Sequence, residues 1–250
     1  YAQPAIFVTS AAFLETLKRK WPLARPSFCA GLSLGEFSAL FAAGSLSFED
    51  GLRLVKIRAA AMERSAKNNP GTMASILGLK QDDCTLIAKA AGCQLANLNC
   101  PDQFVLSGTF ESIDAACIMA EQKGAKRALK LRVGGAFHSK LMREAKEDLE
   151  KALAQTEIRA PECLFIPNAT AQPVSDPNQI RALLSEQLMS PVRWIETMER
   201  ASENSVVRFL EIGPGKVLKG LARKCNPALQ VENCGSVEDI AKLEVLQQSS

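Results

Sequence analysis

One serine and one histidine carry most of the chemistry this sequence offers. Ser33 lies in Gly31-Leu32-Ser33-Leu34-Gly35. The apolar, strand-like run Pro26-Ser27-Phe28-Cys29-Ala30 leads in, and the helix-like run Glu36-Phe37-Ser38-Ala39-Leu40-Phe41-Ala42-Ala43 leads out to Gly44. A G-x-S-x-G between strand and helix reads as a nucleophile elbow. Its two glycines are expected where backbones approach too closely for side chains. Ser33 would then stand exposed at the head of a helix. The Leu34 amide, unpaired in the first helical turn, would face a developing oxyanion. The same five residues also fit a glycine-bounded turn around an ordinary serine.

A serine nucleophile needs a base, and the chain contains one histidine, His138. A lone histidine is more often a surface or core residue than a catalyst. This one sits in Val133-Gly134-Gly135-Ala136-Phe137-His138-Ser139, a small-residue loop after a strand-like run, where backbone can approach a substrate. Acyl transfer needs a group near neutrality to take the serine proton and return it to the leaving group. If the chain does serine chemistry with a histidine base, that base is His138.

The elements that must hold these groups alternate between helix and strand. Residues 4 to 20 read as a helix with Ile6, Phe13, Leu14 and Leu17 at helical spacing. After the elbow, Ser47 is an N-cap with Asp50 three residues on, a variant of the capping box. The helix it starts carries Leu52, Val55 and Met62 on one face and breaks at Asn68-Asn69-Pro70-Gly71. A change of texture follows. Strands over 73–79, 94–99, 104–107 and 127–133 and helices over 81–91 and 111–123 give the order βαββαβ, the ferredoxin-like pattern. A charged helix from 139 to 155, a strand over 163–167, helices over 177–188 and 191–203, a strand over 206–212 and a helix from Lys216 complete the reading. The fold class is therefore α/β: a hydrolase-like core, residues 1–70 and 134–250, with an inserted ferredoxin-like subdomain, residues 71–133.

Composition agrees with an enzyme. The chain has 250 residues, 47% of them hydrophobic, enough for one large core or a core plus an inserted lobe. Its net charge of +3 comes from 30 basic and 27 acidic residues spread along the chain, so no nucleic-acid stripe stands out. Eight cysteines form no C-x-x-C pair and lack nearby histidines, which disfavours zinc and redox motifs. Reduced thiols suit a cytoplasmic setting, or an organelle stroma in a eukaryote. Cys29 and Cys163 fall in apolar runs and read as core. No apolar run is long enough to span a bilayer, and no signal peptide is visible. The chain opens on Tyr1 directly into an apolar run, as a fragment cut inside an element would.

Several separated motifs stand out along the chain. They are Gly31-Leu32-Ser33-Leu34-Gly35-Glu36, Val55-Lys56-Ile57-Arg58, Asn97-Leu98-Asn99-Cys100-Pro101-Asp102-Gln103 and Gly135-Ala136-Phe137-His138-Ser139. Gln187-Leu188-Met189-Ser190-Pro191-Val192-Arg193-Trp194 and Glu211-Ile212-Gly213-Pro214-Gly215-Lys216-Val217-Leu218 follow. In their order and spacing they resemble the malonyl-CoA:acyl carrier protein transacylases and the acyltransferase domains of polyketide and fatty acid synthases, and the resemblance covers essentially the whole chain. It implies that Ser33 takes a malonyl group from coenzyme A as an ester and that His138 serves as base and then acid. It also implies that the backbone carbonyl of Gln187 orients His138, in place of a third acid, and that the Leu34 amide is an oxyanion donor.

Arg58 is implied as the receptor for the free malonyl carboxylate. A guanidinium makes two parallel hydrogen bonds to a carboxylate, and an unpaired one disfavours acetyl groups. Phe137 resembles the bulky choice of malonyl-specific members, and Met62 and Asn97 are further substrate-binding candidates. Asn168 either supports the loop or simply forms a turn after a strand. The partner implied is an acidic acyl carrier protein with a phosphopantetheine thiol, met by Lys140, Arg143, Arg193, Lys216, Arg223 and Lys224. Scattered basic residues also describe an ordinary solvated face. No metal or redox cofactor is implied, and a monomer is expected.

Two departures stand out. Leu32 occupies a position where many relatives carry histidine, which alters the pocket lining. The family's upstream segment, whose glutamine amide supplies a second oxyanion donor, has no match here, and losing one such donor costs on the order of a hundredfold in rate. Gly213-Pro214-Gly215 lacks the ending of a P-loop and reads as a tight strand-to-helix turn. Two rival functions share the motifs: a serine thioesterase or other hydrolase, and a non-catalytic module that docks a carrier protein.

Overall fold

The computed structural model describes residues 2–22 and 24–248, with side chains through 243. Helix α1 (Ala2–Lys20) leads to β1 (Phe28–Cys29), the elbow, α2 (Gly35–Ala42) and α3 (Phe48–Asn68). Ser47 caps α3 as its sequence position requires, its hydroxyl accepting the Asp50 N–H at 3.0 Å. Phe7 of α1 is fully buried, stacked on Phe48 at 5.9 Å and tilted on Phe41 at 6.1 Å. Burying such a side chain contributes roughly 1.5–3 kcal/mol, and this one fastens α1 across α2 and α3.

A four-stranded antiparallel sheet comes next. Its strands are β2 (Thr72–Leu77), β3 (Gln94–Cys100), β4 (Gln103–Gly108) and β5 (Arg127–Lys130), in the spatial order β3-β4-β2-β5. Helices α4 (Gln81–Ala91) and α5 (Phe110–Gln122) supply the crossovers, so the chain order is β-α-β-β-α-β. Ile76, Leu98, Phe104 and Leu106 pack with Ile87, Ile113 and Ala116 in a core of their own. The last strand is shorter than its alternating sequence suggests, ending at Lys130, with residues 131–133 outside any strand.

The return to the larger core runs through a single 3-10 turn (Lys140–Met142) into α6 (Arg143–Ala154), then β6 (Leu164–Phe165) and α7 (Pro177–Glu186). Next come α8 (Trp194–Glu203), β7 (Arg208–Ile212), α9 (Val217–Cys225), β8 (Gln230–Cys234) and α10 (Val237–Gln248). β1 pairs in parallel with β6, and β7 in parallel with β8. Sequence periodicity did not yield β8 or α10.

The helix expected from residue 191 begins only at Trp194. Val192 is extended instead, with its N–H on the Ala96 carbonyl at 2.8 Å and its own carbonyl on the Leu98 N–H at 2.9 Å. Main-chain pairing with β3 overrides the helical pattern there and joins the small lobe to the core. No described helix is long and apolar enough to cross a membrane.

The Gly213-Pro214-Gly215 turn is built as a strand-to-helix junction. Gly213 has φ +118°, and a Cβ there would lie 2.2 Å from Ser10 Oγ. Glu211 accepts the amides of Leu218 and Lys219 at 2.9 and 2.8 Å, so a carboxylate of the chain itself occupies the head of α9.

Candidate active site

Ser33 stands in the tight turn between β1 and α2 with φ +52°, a left-handed conformation that a serine holds only at a cost of order 1–3 kcal/mol. Gly31 is required there: a Cβ on it would lie 2.0 Å from the Gly35 carbonyl oxygen. Gly35 is not required, because a Cβ on it meets nothing within 4 Å and its φ is ordinary for a helix. The expectation of two obligatory glycines therefore holds for one. Ser33 is half-buried rather than fully exposed.

His138 reaches Ser33 from the loop after β5. Its Nε2 lies 2.8 Å from Ser33 Oγ, and its Nδ1 lies 2.9 Å from the Gln187 carbonyl at the end of α7. A carbonyl can only accept, so Nδ1 carries the proton and Nε2 is left to receive one from the serine. His138 also adopts a left-handed backbone, φ +56°, held by Ser139, whose hydroxyl donates to the Ala136 carbonyl and accepts the Leu141 N–H. Burial, and then the nearby Arg58 charge, push the imidazole down to about 4. It is a neutral base at neutral pH.

Arg58 is the largest fully buried side chain among the described residues, contrary to the solvated place usual for an arginine on an amphipathic helix. Its Nη2 donates to Ser33 Oγ at 2.8 Å and to Gln187 Oε1 at 3.0 Å, and its Nη1 donates to Gln3 Oε1 at 2.5 Å. Burial lowers its pKa to about 10, so it remains a cation at working pH. Phe37 lies 5.7 Å beneath the guanidinium.

Asn168 does more than form a turn. It receives the Ser33 N–H on Oδ1 at 2.6 Å and donates Nδ2 to the Gly31 carbonyl at 2.7 Å, bracing the elbow from the loop after β6. The Ser33 amide is thereby occupied. Leu34 N–H is paired with no acceptor among the described residues and remains free at the head of α2.

Two residues escaped the sequence reading. Glu36 is wholly buried and accepts the Gln187 side-chain Nε2 at 2.6 Å and the Asn168 N–H at 3.2 Å. Burial pushes its carboxyl up to about 7, against the opposing pull of those two bonds and of Arg58. Gln3 bridges Arg58 to Met62, donating to the Met62 sulfur at 3.5 Å. Helical spacing held the signal for both: Glu36 shares a face with Leu40, and Gln3 with Phe7, and both apolar partners are buried.

The remaining candidates divide. Phe137 is half-buried beside His138 and packs on the main core. Met62 joins the site through Gln3. Asn97 is buried on β3 opposite Val192 and bonds neither Ser33 nor Arg58. Of the basic residues, Lys140, Arg143, Lys216, Arg223 and Lys224 are exposed. Arg193 is half-buried and tied to Glu196 and the Thr170 carbonyl, and Lys224 pairs with Asp102. All eight cysteines are free thiols. Burial pushes Cys84, Cys93 and Cys100 up to about 11, and the Cys163 thiol together with burial pushes Cys29 up as well.

The same arrangement of chain occurs in known proteins. The family described as the acyl transferase domain matches residues 1–244. The malonyl CoA-acyl carrier protein transacylase of Bacillus subtilis (strain 168) is 43% identical over 234 residues, covering 92% of this chain and 73% of that protein. The acyl-carrier-protein-S-malonyltransferase of Bartonella henselae superposes with a TM-score of 0.92 at 40% identity, covering 98% of this chain and 81% of that one. A malonyl-transacylase solved in complex with its type II PKS acyl-carrier protein superposes equally well, TM-score 0.92 at 34% identity, over 98% of this chain and 80% of the other. With its motifs, its fold and nearly its whole length matched in this way, the chain belongs to the acyl transferase domain family.

Proposed function

We propose that this chain transfers a malonyl group from coenzyme A to the phosphopantetheine thiol of an acyl carrier protein, through an ester on Ser33, in the service of fatty acid synthesis. The observation that carries this reading is the convergence on one oxygen: a base, His138 Nε2, and a carboxylate receptor, Arg58 Nη2, each stand 2.8 Å from Ser33 Oγ.

In the first half-reaction Ser33 Oγ attacks the thioester carbonyl carbon as its proton passes to His138 Nε2. The developing oxyanion faces the Leu34 N–H. The carbon–sulfur bond then breaks, and coenzyme A leaves with the proton from His138. In the second half-reaction His138 takes the carrier thiol proton, the thiolate attacks the ester, and the proton returns to Ser33. Arg58 turns from Ser33 Oγ to the malonyl carboxylate. That carboxylate neutralises part of the charge holding His138 down, so the base strengthens when the correct substrate is seated.

Phe137 and Met62 are assigned to the acyl-binding side of the site, Phe137 by its adjacency to His138 and Met62 through Gln3, while Asn97 rests on the family resemblance alone. We assign residues 71–133 to a separate lobe on the strength of its own apolar core. The free thiols favour a cytoplasmic setting. A hydrolase would ordinarily set a carboxylate behind its histidine; here a backbone carbonyl stands there.

Intact mass after brief mixing with malonyl-CoA tests the reading. A malonyl adduct that discharges onto a carrier thiol is expected. Rapid release of free malonate would replace it with hydrolysis, and carrier binding without any adduct would leave a docking module.

A further inference from the structure

A buried carboxylate is costly unless something uses it. Glu36 is wholly buried, yet it touches neither Ser33 Oγ nor His138. What it holds is one end of an amide. The Gln187 Nε2 donates both to Glu36 Oε2, at 2.6 Å, and to the Ser33 carbonyl, at 2.9 Å. An amide has one donating and one accepting end, so fixing Nε2 on these two acceptors directs Oε1 to Arg58, where it accepts Nη2 at 3.0 Å. Turned over, the amide would set donor against donor at Arg58 and acceptor against acceptor at Glu36, and Nη2 would lose this anchor while Nη1 keeps Gln3.

We propose that Glu36 is a positioning residue for acyl selectivity: its carboxylate locks the Gln187 amide, which in turn aims Arg58 at the acyl group carried by Ser33. This rests on Arg58 receiving the malonyl carboxylate. The Gln187 main chain is held separately, its N–H on the Leu183 carbonyl at 2.9 Å, so the carbonyl that orients His138 does not depend on Glu36. Loss of Glu36 therefore separates two properties of the site. Recognition of a carboxylate suffers, while the reactivity of the serine persists.

The test compares wild type, Glu36→Met (which removes the acceptor), Glu36→Gln (whose amide oxygen can replace it), Gln187→Met and the double variant of Glu36→Met with Gln187→Met. Folding is followed by thermal melts. Three quantities are read: burst acylation by malonyl-CoA, burst acylation by acetyl-CoA, and protection of Ser33 by free malonate against a neutral fluorophosphonate. Glu36→Met is expected to lower the malonyl-to-acetyl ratio and malonate protection about tenfold. Glu36→Gln should restore most of both, because the Gln187 and Asn168 bonds fall on Oε2 alone. Gln187→Met should lower the ratio likewise, whatever it does to the absolute rates, and adding Glu36→Met to it should change the ratio no further. Equal losses for both acyl groups, no restoration by Glu36→Gln, or an undiminished Glu36→Met effect in the Gln187→Met background would overturn the proposal. If Glu36→Met does not fold, Gln187→Met alone decides through the same ratio. Malonate protection that depends on Glu36 in a protein that forms no adduct would uphold this inference while removing the transferase reading.

Discussion

Two junctions in this molecule share a plan: a parallel strand, a glycine-bounded turn and a helix. At β7–α9 the turn Gly213-Pro214-Gly215 is closed by the chain itself, with Glu211 bonded to the Leu218 and Lys219 amides. At β1–α2 no such carboxylate caps the turn. The Ser33 amide goes to Asn168, and Leu34 N–H stays free. The acid nearest the second junction, Glu36, points inward, to Gln187 and the Asn168 backbone. One helix head is spent on stability and the other is kept open for an anion. A glycine pattern alone does not distinguish them; the place of the nearest carboxylate does.

Mutations should separate the two junctions by size as well as by kind. Ser33→Ala removes the acceptor atom itself and is expected to abolish the malonyl adduct in intact mass, a loss of at least about a thousandfold. His138→Ala should slow acylation by about a hundredfold to ten-thousandfold in rapid-quench measurements, the range for a lost general base. Arg58→Ala is expected to lower malonyl acylation about a hundredfold and acetyl acylation far less, as two charge-assisted bonds are lost.

Arg58→Ala should also move a titration. With His138 held down to about 4, acylation by the wild type should persist as pH falls below the ordinary imidazole range and decline only near 4. Without the Arg58 charge the acid limb should shift upward. A pH–rate profile that keeps its limb in the variant would refute that electrostatic link. The stability consequence has a definite sign. A depressed His138 contributes stability that is present above about 6.5 and lost as pH falls toward about 4. Glu36, raised from 4.5 to about 7, acts oppositely, its contribution complete below 4.5 and lost as pH rises through about 7.

Smaller effects belong to the turns. Gly31→Ala forces a Cβ to within 2.0 Å of the Gly35 carbonyl and should cost several kcal/mol in urea unfolding, about 3 or more, whereas Gly35→Ala should be neutral or slightly stabilising. Glu211→Ala should lower stability by about 1 kcal/mol, the value of a helix cap, and leave Ser33 acylation unchanged.

Much of the site was legible because it is local or forced. The elbow is contiguous in sequence, and His138 is the sole histidine. The Arg58 role, by contrast, came only from the family resemblance: its spacing from Val55 and Met62 puts it on the apolar face of α3, but an arginine is ordinarily solvated and spacing says nothing of a polar cavity behind it. Glu36 and Gln3 were missed although each shares a helical face with a buried apolar residue, because their meaning lies in partners on other elements. The helix boundary at 191 failed where pairing of Val192 with β3, more than ninety residues away in sequence, overrode local preference. Gly35 was overread because a motif describes spacing, and only coordinates reveal which glycine is crowded.

The distances along the chain carry one last consequence. Ser33 is bonded to residues 105, 135 and 154 positions further on: His138, Asn168 and Gln187. Contacts of such sequence separation close late, after the entropy of long loops has been met. A chain emerging from the ribosome thus displays its serine long before it owns a base, a brace or an anchor for the arginine. During synthesis the nucleophile is chemically silent, and reactivity arrives only when the chain around α7 has joined the fold.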